Sequence, residues 1–573
     1  MSKTASNKRI SSKTIIILSS SAVIRCIFGI LSGVWFFPNV YDDLLMFQYS
    51  FFGYHFRTPD YCSLVKYISY PVFLFFVKLS HIPYTFWVSL LWCLAALACF
   101  YLAGRISSNR YFKYAVYFYV LFLPQAFENW CGTRLYRNAV IGPFVILLFA
   151  GMIVILYNTV LQKANRILSF VLLGFLFSFT FYLKEDGIWI LACLALWSVT
   201  GILLTVKNEK ARLRLKGLFY LIPLLVFFLF TLGYKTVNYA AFGVFETNTR
   251  TSGSPGEFCE LIYRIDSPNR SVYVWAPEDA IDKAFAASPT LSSHPELLEK
   301  IKTSPHLNGD IKENPIKGDH LGWVLRIALK DCPEISGGEW DEKKVCDFFD
   351  QVNKELKAAF KSGELSKQKN RIQLLHSVGG YTAGEIAGLG NLVLKGFEGA
   401  VWLKNYTPGL MDTTNVREIE YYHSAVDDVR DAVHIPSLDT GKAKNTTNAG
   451  SSSVLNVITM IIWWIYRVIN SALFLLLIAY IIGGAIKLPS WFKKKEENKA
   501  VIFKYFCCLC FSVFAFCYAL AIAWFSAFLF EEGVDMSILN FYNIALPGLL
   551  MFAYCMAGAN LGDFLKRFSD KNP

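Results

Sequence analysis

"TIIILSSSAVIRCIFGILSGVWFF" (residues 14–37) runs directly into "PNVYDDLLMFQYSFFGYH" (38–55). The first stretch, coiled at about 1.5 Å per residue, crosses roughly 30 Å of hydrocarbon as a helix. It lacks a small-residue cleavage site and exceeds the length of a signal-peptide core, so it reads as a retained signal-anchor helix. The second stretch puts two adjacent acids, Asp42 and Asp43, just beyond that helix and then resumes with apolar and aromatic residues. Paired carboxylates at a membrane edge set the question for the rest of the chain.

Similar apolar runs recur along the 573 residues, and the overall composition agrees with them. Hydrophobic residues make up 54% and charged residues only 17%, against about 25% charged in soluble domains. Mean hydropathy is +0.37. The chain is an all-α polytopic membrane protein by this reading. Its net charge of +12 does not call for nucleic acid, because membrane proteins collect Lys and Arg on their cytoplasmic flanks.

Ten membrane helices are expected, at about 14–37, 86–105, 114–128, 138–160, 166–183, 188–206, 217–239, 471–487, 501–530 and 541–560. The basic residues of the short connections test this count. Lys8 and Arg9, Arg105 and Arg110, Lys163 and Arg166, Arg212 and Arg214, Lys493 and Lys494, and Lys566 and Arg567 all fall on one side if ten helices cross. Both termini are then cytoplasmic in a multi-pass plasma membrane. Two long segments are left outside: the first loop, 38–85, and a polar insert of about 240–455 carrying helical apolar spacing, as in "DFFDQVNKELKAAF" (347–360). The expected division is a transmembrane module at 1–239, an extracytoplasmic, mainly helical domain at 240–455, and C-terminal membrane helices at 456–573. Residues 454–470, with Trp463, Trp464 and Tyr466, read as an interfacial segment ahead of the eighth helix. The fourteen cysteines show no metal spacing. Cys259, Cys332 and Cys346 leave room for one disulfide in the insert.

In this topology the unusual polar groups share the outer face. Asp42 and Asp43 are followed by His55, Arg57, Asp60 and Lys66; "FENWCGTRLYRNAV" (127–140) brings Glu128, Arg134 and Arg137; "YLKEDGIWIL" (182–191) brings Lys184, Glu185 and Asp186. Each has a plain structural alternative. Asp42 can cap the following helix through backbone N–H groups, the Lys-Glu-Asp triplet can be a solvated turn, and the arginines can snorkel to lipid headgroups. Arg25 lies mid-way along the first helix, where a charge requires a partner or an aqueous cavity.

From Pro38 onward the chain resembles the GT-C superfamily of polytopic glycosyltransferases, which take sugar from a polyprenyl-phosphate carrier on the outer face of the membrane. The resemblance rests on the acid pair after the first helix, and on "YISYPVFLFFVKLSHIPYTFWVSLLWCLAALACFYLAGRIS" (67–107) with its Tyr-Pro opening and Gly-Arg ending. It extends to the hairpin around "GTRLYRNAV", to the "KEDGIW" piece, and to seven helices ahead of a large external insert. It covers about residues 14–240, and nothing in the insert names a donor or an acceptor.

What the resemblance implies is an inverting, lipid-phosphate-sugar-dependent transferase of cell-envelope polysaccharide or glycolipid. Asp42 or Asp43 would be the general base. Arg134, Arg137 and Lys184 would hold the donor phosphate, and Glu185, Asp186, His55 and Arg57 would bind sugar or support the other groups. The donor is then a polyprenyl-phosphate sugar lying among membrane lipids, with no resident cofactor implied and a divalent metal as a lesser alternative. The competing readings are a transporter or flippase for lipid-linked saccharides and a non-enzymatic envelope assembly protein.

Overall fold

A computed structural model describes residues 11–35, 59–161, 163, 165–208, 211–307, 310–373, 378–409, 433–434, 449–530 and 536–569. The chain is mostly helical. Helix α1 (Ser12–Ser32) starts where the Ser11 hydroxyl accepts the Thr14 N–H at 3.3 Å, the usual device for an orphaned first-turn donor. After the undescribed stretch 36–58 come α2 (Ser69–Ser80), α3 (Tyr84–Ile106), α4 (Phe112–Leu121), α5 (Asn138–Val160), α6 (Ile167–Phe181), α7 (Ile188–Asn208) and α8 (Ile222–Phe242). The polar insert contributes α9 (Gly253–Arg264), α10 (Glu278–Ala287), α11 (Leu321–Lys330), α12 (Glu342–Ser362) and α13 (Gly390–Trp402). Its strands β1 (Val274–Ala276) and β2 (Ile316–Lys317) pair antiparallel. The chain ends on α14 (Ala449–Lys493), α15 (Lys495–Ser526) and α16 (Leu546–Ser569).

Among the described residues, seven helices are long and apolar enough to cross a membrane; Ser69–Ser80, Ile167–Phe181 and Leu546–Leu561 are shorter apolar pieces. The expected crossing at 114–128 is not one long helix. α4 stops at Leu121 after ten residues, about 15 Å, because Leu123 is extended ahead of Pro124, as the ring of a following proline requires. Arg25 finishes this short helix. Its Nε donates to the Leu121 carbonyl at 3.1 Å and its Nη1 to Ser89 Oγ at 3.1 Å, with the guanidinium 4.4 Å from the Phe127 ring centre. A cation on a helix C-terminus satisfies carbonyls that have no helical donor. The intramembrane charge is thus accounted for by structure.

The expected interfacial segment 454–470 is continuous with the following helix. α14 runs 45 residues, about 67 Å; no Gly or Pro interrupts residues 454–482, and Pro489 lies inside the helix near its end. The three insert thiols form no disulfide; Cys259, Cys332 and Cys346 are buried and free. Nor is the end of the insert detached from the bundle. Asn470 Nδ2 donates to the Val401 carbonyl at 3.0 Å and Arg467 Nε to the Trp402 carbonyl at 3.0 Å, seating α13 on α14. Tyr381 stacks on Trp524 of α15 with centroids 4.8 Å apart.

Candidate functional site at one end of the bundle

The connection from α4 to α5 is wound around Glu128. Its carbonyl accepts the N–H groups of Cys131, Gly132 and Thr133 at 3.3, 2.8 and 3.2 Å, and its Oε2 accepts the Cys131 N–H at 2.8 Å. The turn is so tight that a Cβ on Gly132 would stand 2.2 Å from the Ala126 carbonyl group. Two other segments brace it. Trp35 donates to the Thr133 carbonyl and accepts from Leu135, both at 2.9 Å, while Asn129 donates to the Thr407 carbonyl at 3.1 Å. Glu128 is fully buried, its Oε1 has no hydrogen-bond partner among the described residues, and burial lifts its carboxyl to about 8 despite those N–H donors. The group is therefore held mainly protonated at neutral pH.

This loop aims Arg134 and Arg137 at one aromatic wall. The Arg134 guanidinium lies 4.8 to 5.4 Å from the rings of Tyr136, Phe541, Trp35 and Trp130. Arg137 lies 5.1 Å from the same Tyr136 ring, and Lys184 lies 6.0 Å from that of Phe541. Phe541 comes from the segment just before α16, so residues from both ends of the sequence build the wall.

The α6–α7 connection supplies the acids. Arg137 Nη1 donates to Glu185 Oε2 at 2.6 Å, with the two side chains 8% and 13% exposed. Lys184 Nζ is 3.3 Å from Asp186 Oδ2 and, among the described residues, makes no hydrogen bond in its buried position. Burial alone would push the Glu185 carboxyl up. The neighbouring charges of Arg137, Lys66 and Arg250 more than reverse this and hold it near about 2. Glu185 is the ionised centre of a ring of cations.

Lys66 is buried because the end of the first loop is locked in place. Ser69 N–H donates to the Tyr182 carbonyl at 3.2 Å, and Thr249 N–H donates to the Leu64 carbonyl at 2.9 Å. A clamp from the polar insert holds the same loop. Arg326 Nε and Nη2 donate to the carbonyls of Tyr61 and Ser63, both at 2.6 Å, and Nη2 also pairs with Glu342 Oε2 at 2.9 Å. Both clamp side chains are excluded from solvent. Trp340 Nε1 adds a 2.6 Å bond to the same carboxylate, which leaves the buried pair fully hydrogen-bonded rather than a naked charge.

Of the residues expected at a site, the structure brings Arg134, Arg137, Lys184, Glu185 and Asp186 together. Asp42, Asp43, His55 and Arg57 lie outside the described residues. The neighbourhood adds Lys66, Arg250, Glu128 and the wall of Trp35, Trp130, Tyr136 and Phe541. Lys66 and Glu128 stood out in the sequence by type. Arg250 and Phe541 carried no local signal. Among the described residues the one group with metal-ligand spacing is His294, Glu296 and Glu334, on the insert and largely solvent-facing. Compared with known proteins, the chain matches no family model and no curated protein sequence.

Proposed function

We propose that the protein is a membrane glycosyltransferase that moves a sugar from a polyprenyl-phosphate carrier to an envelope acceptor outside the cytoplasm. The observation that carries this reading is the gathering of Lys66, Arg137 and Arg250 on Glu185, with the Lys184–Asp186 pair in the same connection, at the end of the bundle where the chain enters residues 36–58. That undescribed stretch holds Asp42 and Asp43. Cations set where helices end suit a lipid-linked phosphate, whose charge must stay near the membrane surface.

In this reading Asp42 or Asp43 takes the proton of the acceptor hydroxyl. The hydroxyl oxygen forms a bond to the anomeric carbon from the face opposite the leaving group. The bond from that carbon to the phosphate oxygen breaks, and its electron pair leaves with the polyprenyl phosphate. Lys184 receives the growing negative charge, because its buried ammonium is ion-paired with Asp186 at 3.3 Å but makes no hydrogen bond among the described residues, whereas Arg137 is hydrogen-bonded to Glu185. Charge-assisted donors of this kind act in the transition state without reorganising.

The test is mass spectrometry of carrier-lipid occupancy and envelope glycans in cells making wild type, Asp42→Asn, Asp43→Asn or Lys184→Ala. At least one Asn variant should lose roughly 10²–10⁴-fold of transfer, with glycosylated carrier accumulating and one glycan losing a residue. Unchanged glycans in both Asn variants and in the double variant, with normal insertion, would overturn the reading. Lipid-linked sugar flux across vesicles without any new glycosidic bond would replace it by transport.

A further inference from the structure

α5 begins at the candidate site and ends, 23 residues later, about 34 Å away. That length is one hydrocarbon thickness, so its far end lies at the opposite leaflet. There α3, α5 and α6 enclose a cavity of about 600 Å³. Its rim carries Arg105 from the end of α3, and Lys163 and Arg166 from the α5–α6 connection. Its walls are apolar, including Ala150, Val154, Leu172 and Leu176.

The rim is built in place rather than trailing in solvent. Asn165 Nδ2 donates to the Ile155 carbonyl and to Thr159 Oγ1, both at 3.0 Å, and Asn158 Nδ2 donates to Asn165 Oδ1 at 3.1 Å. Lys163 N–H closes the turn on the Asn158 carbonyl at 2.8 Å. Arg105 lies 4.9 Å from the ring of Tyr101, itself half-exposed, as an interfacial aromatic would be. Among the described residues no carboxylate pairs with these cations. Residues 61–127 and 129–184 contain no Asp or Glu, and among the described residues Arg105, Lys163 and Arg166 form no ion pair.

We propose that this cavity binds one anionic phospholipid of the leaflet facing the basic loops. Arg105, Lys163 and Arg166 would hold the headgroup phosphate, and the aliphatic trough would take an acyl chain. Two observations select a lipid over a free phosphate: the trough continues into the bundle, and its outer edge is membrane-facing, with Leu168 and Leu172 among the exposed residues. Basic pockets between membrane helices recognise headgroups by this combination. The inference does not depend on the proposed transferase activity.

The experiment uses the full chain, purified in detergent and stripped of lipid, titrated with phosphatidylglycerol or phosphatidylcholine of the same chains and read by native mass spectrometry. Wild type should bind phosphatidylglycerol preferentially. Arg105→Ala/Lys163→Ala/Arg166→Ala should weaken it roughly tenfold or more, while Lys487→Ala/Lys493→Ala/Lys494→Ala, which removes equal charge elsewhere, should not. Val154→Phe narrows the trough with every cation kept and should also lower binding, so the proposal stays open to refutation if the triple variant does not fold. Equal binding of the two lipids, or equal phosphatidylglycerol binding by wild type and Val154→Phe, would overturn it. So would displacement of the diacyl lipid by inorganic phosphate at millimolar concentration.

Discussion

The two ends of α5 hold cations in opposite ways. At the site end, Arg137 is buried and bonded to Glu185, Lys184 sits beside Asp186, and Arg134 is walled by aromatic rings. At the other end Arg105 and Arg166 are exposed and, among the described residues, form no ion pair. A buried charge tolerates its loss of water only when paired and hydrogen-bonded, so the site end is fixed in geometry. An exposed cation keeps its hydration and yields it to whatever anion arrives. The first arrangement suits chemistry on a defined atom, and the second suits a membrane surface.

The comparison is broken most directly at the Arg137–Glu185 pair. Glu185→Leu leaves Arg137 and its cationic neighbours without their shared counter-charge and should cost about 3–5 kcal/mol of stability, read as a lowered thermal midpoint in detergent. Arg137→Met/Glu185→Leu should recover part of that loss. Because the Glu185 carboxyl falls from 4.5 to about 2 in the folded chain, its contribution is present above pH 4.5 and disappears as pH falls through about 2. A double variant no more stable than Glu185→Leu would show that the pair is not the organising contact.

Glu128 sharpens the contrast, because it is an acid in the same neighbourhood with the opposite shift. Its folded pKa rises from 4.5 to about 8, so the native state binds the extra proton between those values, and stability falls as pH rises through that window. One unit is about 1.4 kcal/mol, and with part of the shift absorbed when water reaches the carboxylate, about 2 kcal/mol of pH-dependent loss remains. Glu128→Gln should therefore lose less stability than wild type between pH 5 and pH 9 in parallel thermal melts. Parallel slopes would mean that Glu128 is ionised throughout.

These two acids also mark the limit of what the residues announced. Apolar runs predicted the long helices because a hydrocarbon-length stretch has few other fates. The break of α4 was foreshadowed by Pro124, and the continuity of residues 454–482 by the absence of Gly and Pro there. At the site, the cluster of Arg134, Arg137, Lys184, Glu185 and Asp186 was legible from three connections sharing a face. Which cation met which acid was not, since a pairing such as Arg137 with Glu185 depends on how α5 and α6 pack. Arg250 and Phe541 are far from those loops in sequence, and only the tertiary fold brings them in.

The smallest expected effect tests the exposed end. Arg166→Ala removes a cation with no ion pair, so stability in neutral detergent should change by no more than about 0.5 kcal/mol. Its phosphatidylglycerol binding should still fall measurably, because the headgroup phosphate loses one of its three cationic partners. If Arg166→Ala instead lowered the thermal midpoint as far as Glu185→Leu does, the basic rim would be part of the folded core. The distinction drawn between the two ends of α5 would then collapse.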